Sequence, residues 1–101
     1  MLRELNACAA LCNICYQACL YEEDVIAMRH CIELNRDCAE ICLLAASLFA
    51  RSAPGTDKIL KLCAEICHDC ARECKKHDHD HCRKAQHVCN TCAEMCMAYV
   101  S

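Results

Sequence analysis

Cys8, Cys12, Cys15 and Cys19 stand at steps of four, three and four, and Cys63, Cys67, Cys70 and Cys74 repeat that spacing without change. Cys82, Cys89, Cys92 and Cys96 form a looser block, and Cys31, Cys38 and Cys42 form another. Steps of three and four return to one face of an α-helix, so each block projects its thiols along a single stripe. Four such stripes turned inward line a tube with sulfur. The chemistry open to that tube is coordination of many soft metal ions by thiolates, more than turnover at one active centre.

Other uses of cysteine fit less well. One or two buried thiols often serve as small core hydrophobes. Fifteen in register would carry an oxidation hazard that Ala, Val or Leu avoid. Fifteen in 101 residues also exceeds the roughly 8–10% that marks a disulfide scaffold. Yet the count is odd, and the chain has one Gly and one Pro where such scaffolds are loop-rich. The opening Met1-Leu2-Arg3-Glu4-Leu5-Asn6 lacks a charged start followed by an apolar run, so no signal peptide is expected. Helix neighbours hold their Cβ atoms about 5–6 Å apart, whereas a disulfide needs about 3.5–4.5 Å. Reduced thiols in a reducing cytoplasm are the expectation.

Soft thiolates select Cu(I), Zn and iron–sulfur clusters, and charge separates these. A buried thiolate must be neutralised. A Zn²⁺ ion with four thiolates leaves −2, and several such sites would stack that charge along one axis. Cu(I), at about one ion per thiolate, leaves the lining near neutral. Two metal–sulfur bonds of roughly 2.3 Å (zinc's value) span about 4.6 Å, within reach of cysteines at i and i+4. Bridging thiolates could merge the sites into a row of clusters. An iron–sulfur electron carrier is the rival from another class, but no cysteine precedes a proline and C-x-x-C occurs only inside helical runs. A zinc or general soft-metal buffer is the third reading. The C-x-x-C matches at Cys12, Cys67 and Cys89 have no strand pattern around them to suggest thioredoxin-like chemistry.

The elements that must position the thiols follow from the breakers. Ser52-Ala53-Pro54-Gly55 divides the chain into two halves, with weaker breaks at Tyr21 to Asp24 and His77 to His81. Helices are expected over about 3–20, 24–51, 56–76 and 80–100, with Asp24, Thr56 and Asp80 as N-caps. Short connections favour an all-α, antiparallel up-down-up-down four-helix bundle with a cysteine-lined core, one domain over residues 1–101. Aromatics are nearly absent, limited to Phe49, Tyr16, Tyr21 and Tyr99, so cysteine must fill much of the interior. A second apolar stripe of Leu11, Ile14, Leu34, Ile41, Leu48, Ile59, Leu62, Ile66, Val88 and Met95 reads as the helix-to-helix seams. Leu43, Leu44, Met97 and Val100 are surplus and available to a subunit interface. The net charge of −3 with interspersed signs gives no nucleic-acid stripe, and no run of about 18 apolar residues suggests a membrane span.

His77-Asp78-His79-Asp80-His81 precedes Cys82 at the third turn. His77 lies three residues after Cys74, His79 three before Cys82, and Met28 three before Cys31, so these three extend the stripes towards solvent. They are the expected mouth ligands, handing Cu(I) to Cys19, Cys31, Cys74 and Cys82. His30, His68 and His87 lie off the stripe and read as surface or seam residues. Asn35 points roughly inward where another cysteine might stand.

These features together resemble the cytosolic copper storage proteins. The resemblance rests on the two C-x₃-C-x₂-C-x₃-C blocks, on Asn35-Arg36-Asp37-Cys38-Ala39-Glu40-Ile41-Cys42 and Cys63-Ala64-Glu65-Ile66-Cys67, and on Lys76-His77-Asp78-His79-Asp80-His81-Cys82. It implies that all fifteen cysteines bind Cu(I), many ions per chain, and that the protein is a homotetramer. With only three cysteines on the second helix, capacity is expected to be lower than in more cysteine-rich members. The expected function is cytoplasmic Cu(I) storage or sequestration without a catalytic residue. Copper ions and a copper chaperone are the candidate partners.

Overall fold

The computed structural model describes residues 1–101 and contains four helices: α1 (Leu2–Cys19), α2 (Arg29–Ala50), α3 (Thr56–Cys74) and α4 (Asp80–Val100). They run up, down, up and down in a bundle of 43 × 19 × 18 Å. α1 packs on α2 and α4, and α3 packs on the same two. The four cysteine stripes therefore meet on the central axis. No helix is long and apolar enough to cross a membrane.

The second helix starts later than the expected Asp24. Residues 20–28 form consecutive turns, with the Tyr21, Glu22 and Arg29 amides donating to carbonyls three residues back, of Ala18, Cys19 and Ile26. Asp24 does not cap, because its carboxylate is taken by His79 across the mouth at 3.3 Å. The other two expected caps also fail. The Thr56 hydroxyl turns backwards and donates to the carbonyls of Ala53 and Leu48 at 2.6 and 3.2 Å. Asp80 lies inside the first turn of α4 and pairs with Lys84 at 3.2 Å. The N-cap positions fall instead to Met28, Gly55 and His79.

The end of α2 is closed by a Schellman motif. Ser52 takes the left-handed conformation at φ 50°. Its amide donates to the Phe49 carbonyl, and that of Ala53 to the Leu48 carbonyl. The third helix ends at Cys74, short of the expected 76. Three-residue bonds from Lys76 to Glu73 and from His77 to Cys74 then tighten the chain into the turn.

The seams differ from expectation in composition. Ile14 and Leu62 are 58% and 45% exposed, so they lie outside the seams. The fully buried places beside the sulfurs belong to alanine, and five of these alanines directly follow a cysteine: Ala9, Ala39, Ala64, Ala71 and Ala93. Leu34, Ile41, Ile59, Ile66 and Val88 flank that layer, partly buried. A methyl group at the contact lets backbones approach closely, which brings thiols from facing helices together. Only three large apolar side chains are completely buried: Leu5, Met28 and Leu60. Leu5 opens α1 and Leu60 lies in the first turns of α3, so both plug the end opposite the histidine turn.

Candidate metal centre

All fifteen cysteines are free, and none is more than 1% exposed. From the histidine end inward, α1 presents Cys19, Cys15, Cys12 and Cys8 to the axis, and α3 presents Cys74, Cys70, Cys67 and Cys63. α4 contributes Cys82, then Cys89, Cys92 and Cys96. α2 contributes Cys31, Cys38 and Cys42, with Asn35 between the first two. The helical phase read from the spacing thus carries every thiol to the interior.

The sulfurs gather into groups whose members all lie within 4.8 Å of one another: Cys15, Cys19, Cys31 and Cys82 near the mouth, Cys8, Cys12, Cys38 and Cys89 deeper, and then Cys8, Cys42, Cys67 and Cys92. Cys63, Cys92 and Cys96 complete the column at the plugged end. Cys8 and Cys92 each belong to two groups. Cys74 joins the outer set through Cys31, at 3.8 Å. Sulfur–sulfur separations run from 3.4 Å for Cys12–Cys89 and 3.5 Å for Cys38–Cys67 up to 3.9 Å for Cys8–Cys38. A disulfide requires about 2.05 Å. A metal bound trigonally by three thiolates at roughly 2.3 Å would place them about 4.0 Å apart. The metal-free column is therefore already spaced for soft-metal coordination, and shared thiols such as Cys8 are placed to bridge neighbouring ions.

Thiols packed this closely cannot all ionise. Hydrogen bonding with Cys12, Cys38, Cys67 and Cys70, together with burial, pushes the Cys89 thiol up. Contacts with Cys19, Cys31, Cys74 and Cys82, again with burial, do the same for Cys15. A few thiols go the other way as acceptors of their neighbours' S–H groups. Cys82 is lowered by Cys15, Cys19 and Cys31 and then by the nearby His81 charge, against burial. Cys70 is lowered in the same manner by Cys12, Cys38, Cys74 and Cys89. The metal-free lining is a network of mostly neutral thiols around a small number of acceptor sulfurs, so a buried array of negative charge never forms.

The mouth differs from the spacing-based expectation. His81 is the histidine that touches sulfur, with Nδ1 3.3 Å from Cys15, 3.5 Å from Cys82 and 3.9 Å from Cys19. Its other nitrogen, Nε2, is 2.7 Å from Glu22. His79 stacks on His81 with ring centroids 5.3 Å apart and faces Glu22 at 3.3 Å. Burial opposes protonation of His79, but the Asp24 hydrogen bond and the Glu22 charge outweigh it and raise its pKa. Glu22, His79 and His81 bring their ligand atoms within 4.8 Å of one another. His77 turns away from the column to Glu73, at 2.7 Å. Met28 is completely buried at the start of α2.

The reason for the exchange is local. Helical spacing does not hold across this turn: α3 stops at Cys74 and α4 starts at Asp80, with His79 extended at φ −128° and ψ 144°. Only His81 has helical geometry, next to Cys82. A helix start placed at Asp80 was the available signal, since it leaves His81 as the one histidine of the run inside a regular turn. The off-stripe histidines behave as expected, with His30, His68 and His87 exposed.

The fold and this lining define a helical bundle built to hold soft metal ions in a buried thiol column. Known proteins of that kind match it. The family model described as copper storage protein matches residues 1–101. The Cu(I)-bound copper storage protein BsCsp3 of Bacillus subtilis superposes with a TM-score of 0.95 at 40% identity, over 99% of this chain and 94% of that one. A cytosolic copper storage protein from Streptomyces lividans, loaded with five coppers, superposes with a TM-score of 0.95 at 32% identity, over 98% and 88%. The uncharacterized cysteine-rich protein YhjQ of Bacillus subtilis strain 168 is 45% identical over 89 residues, which is 88% of this chain and 82% of that protein. The chain belongs to the copper storage protein family.

Proposed function

We propose that this protein stores or sequesters Cu(I) in the cytoplasm, as a single domain over residues 1–101 whose fifteen cysteines bind many ions per chain. The observation that carries this is the column of fifteen buried free thiols, with Cys8 and Cys92 shared between groups. Shared sulfurs suit a monovalent soft ion that accepts two or three ligands. Isolated zinc sites of four thiolates would each leave −2 in a bundle about 19 Å wide. The family is one of storage, and we assign no catalytic residue. A copper chaperone is the proposed donor or recipient.

Anaerobic titration of the reduced, metal-free protein with Cu(I) against a competing chelator tests the function. Uptake approaching the thiol count of fifteen is expected, and saturation after one to four ions would overturn storage. Because the thiols of Cys15 and Cys89 are raised and protonated near neutrality, loading should release about one proton per ion. Apparent affinity therefore falls as pH falls, measurable with a pH indicator during the titration.

Loading proceeds through the histidine turn. His81 joins His79 and Met28 as a mouth ligand, oriented by Glu22 through its second nitrogen, and His77 steadies the turn through Glu73. Polar partners of this kind typically change metal affinity or activity by about 10–100-fold. His81→Ala should slow uptake by about that factor while leaving the final copper count within about one ion of wild type. Stopped-flow loading and a stoichiometric count decide between this and a structural role.

The homotetramer is proposed from the resemblance together with the exposed apolar residues Ile14, Leu43, Leu44, Leu62 and Met97.

A further inference from the structure

Asn35 is completely buried in the thiol column, and its Oδ1 is the single buried side-chain nitrogen or oxygen without a hydrogen-bond partner. Its Nδ2 donates to the Cys31 carbonyl at 2.9 Å, which fixes the orientation of the amide. The same nitrogen lies 3.3 Å from the Cys31 sulfur and 3.4 Å from the Cys74 sulfur. Four residues before it on α2 is Cys31 and three after it is Cys38, so it occupies a cysteine position of the stripe. α4 lacks sulfur at the same level, where buried Ala85 stands between Cys82 and Cys89.

The thiol network narrows at this level to one sulfur, Cys70. Hydrogen bonds join Cys15 to Cys19 and Cys82, and Cys31 to Cys74. A second set links Cys8, Cys12, Cys38, Cys42, Cys63, Cys67 and Cys89. No thiol of one set bonds directly to a thiol of the other, and Cys70, one turn from Cys74 on α3, is the single sulfur that reaches both, Cys74 on one side and Cys12, Cys38 and Cys89 on the other.

We propose that Asn35 divides the column into an outer compartment of Cys15, Cys19, Cys31, Cys74 and Cys82 that exchanges copper readily and an inner compartment that holds it, and that its amide loosens the outer one by donating to the Cys31 and Cys74 sulfurs. An N–H group directed at a thiolate withdraws electron density from the sulfur and weakens its bond to a metal. The unpartnered Oδ1 argues against a mere space-filler, since Ala or Cys would fit the position without stranding a carbonyl. Asn35 is a positioning residue: it acts through the sulfurs of Cys31 and Cys74. The outer compartment adjoins the histidine mouth, so its ions are those a partner reaches first.

This inference rests on the copper-storage reading, and the test separates the two. Fully loaded wild-type protein, Asn35→Cys and Asn35→Ala are challenged with an excess of a chromogenic Cu(I) chelator under anaerobic conditions. Wild type should release copper in two phases. The fast fraction should be near one third, the share of the five outer thiols among fifteen. Asn35→Cys, which adds a thiol across the gap, should lose the distinct fast phase. Asn35→Ala should keep both phases with the fast one slowed about tenfold. In the metal-free wild type, the Asn35 side-chain amide protons should exchange slowly with solvent by NMR. Single-phase release from wild type, an unchanged fast phase in Asn35→Ala, or rapid amide exchange would overturn the partition. Failure of wild type to take up copper would overturn the storage reading itself. If Asn35→Cys does not fold, the wild-type and Asn35→Ala results still decide.

Discussion

Metal-free protein carrying Leu60→Ala should be about 2–5 kcal/mol less stable than wild type, the cost of removing a fully buried leucine. That is a large part of the roughly 5–15 kcal/mol typical of a domain. The expectation follows from how little conventional core exists. Leu5, Met28 and Leu60 are the only large apolar side chains without exposure, and the rest of the buried apolar core is cysteine and alanine. Cysteine buries less apolar area than leucine, so each large side chain carries an unusual share of the hydrophobic driving force. Leu60 also lies near the plugged end of the column, one turn before Cys63, where its loss leaves a cavity. Urea denaturation of the reduced protein measures the effect. Repeating it with Cu(I) should recover much of the loss, because ions bound by the native column stabilise it by mass action. A Leu60→Ala variant within about 1 kcal/mol of wild type would mean that the thiol network, and not apolar burial, holds the metal-free fold.

The fold was legible because cysteine marked the buried face of each helix, with Cys8 to Cys19 and Cys63 to Cys74 giving the phase directly. The turns were less legible. Asp24, Thr56 and Asp80 have the chemistry of N-caps, yet a tertiary partner, a backward bond and a neighbour one turn on took them in place of the cap. The first is held by His79, the second by the Ala53 carbonyl and the third by Lys84. Ile14 and Leu62 have seam-like spacing, but alanines next to the cysteines fill the close contacts and leave them outside. At the mouth the helical period ends with the helices, so spacing marked His77 and His79 but not His81, which stands inside α4 against the Cys15 sulfur. Period is a property of a regular helix, and it says nothing one residue past the cap. Asn35 was visible as an inward polar residue, but its contact with Cys74, 39 positions away, depends on the crossing of α2 and α3.

Removing a shared thiol should cost more copper than removing a terminal one. Cys8 belongs to two of the four-thiol groups, whereas Cys96 belongs only to the three-thiol group at the plugged end. Cys8→Ala reduces both of its groups to three sulfurs and breaks contacts to Cys89 at 3.8 Å and Cys38 at 3.9 Å. It also removes an acceptor sulfur, since the S–H groups of Cys12, Cys38, Cys42 and Cys67 lower the Cys8 thiol against the effect of burial. Of the thiols in its two groups, Cys8 is one of those held below the ordinary range, so it gives up its proton to an arriving ion more readily than its raised neighbours. Without it, a proton must leave a neighbour such as Cys67, which Cys38, Cys63 and burial still push up. Cys8→Ala is therefore expected to lose about two or more ions at saturation and to fill its central groups later in the titration, because bridging sulfurs contribute to more than one site. Cys96→Ala should lose about one ion and leave the loading order intact, since each thiolate balances about one monovalent charge. Native mass spectrometry of both variants at stepwise copper additions separates these outcomes. Equal losses in the two would mean that each thiol serves its own ion, and the column would then be a row of independent sites instead of fused clusters.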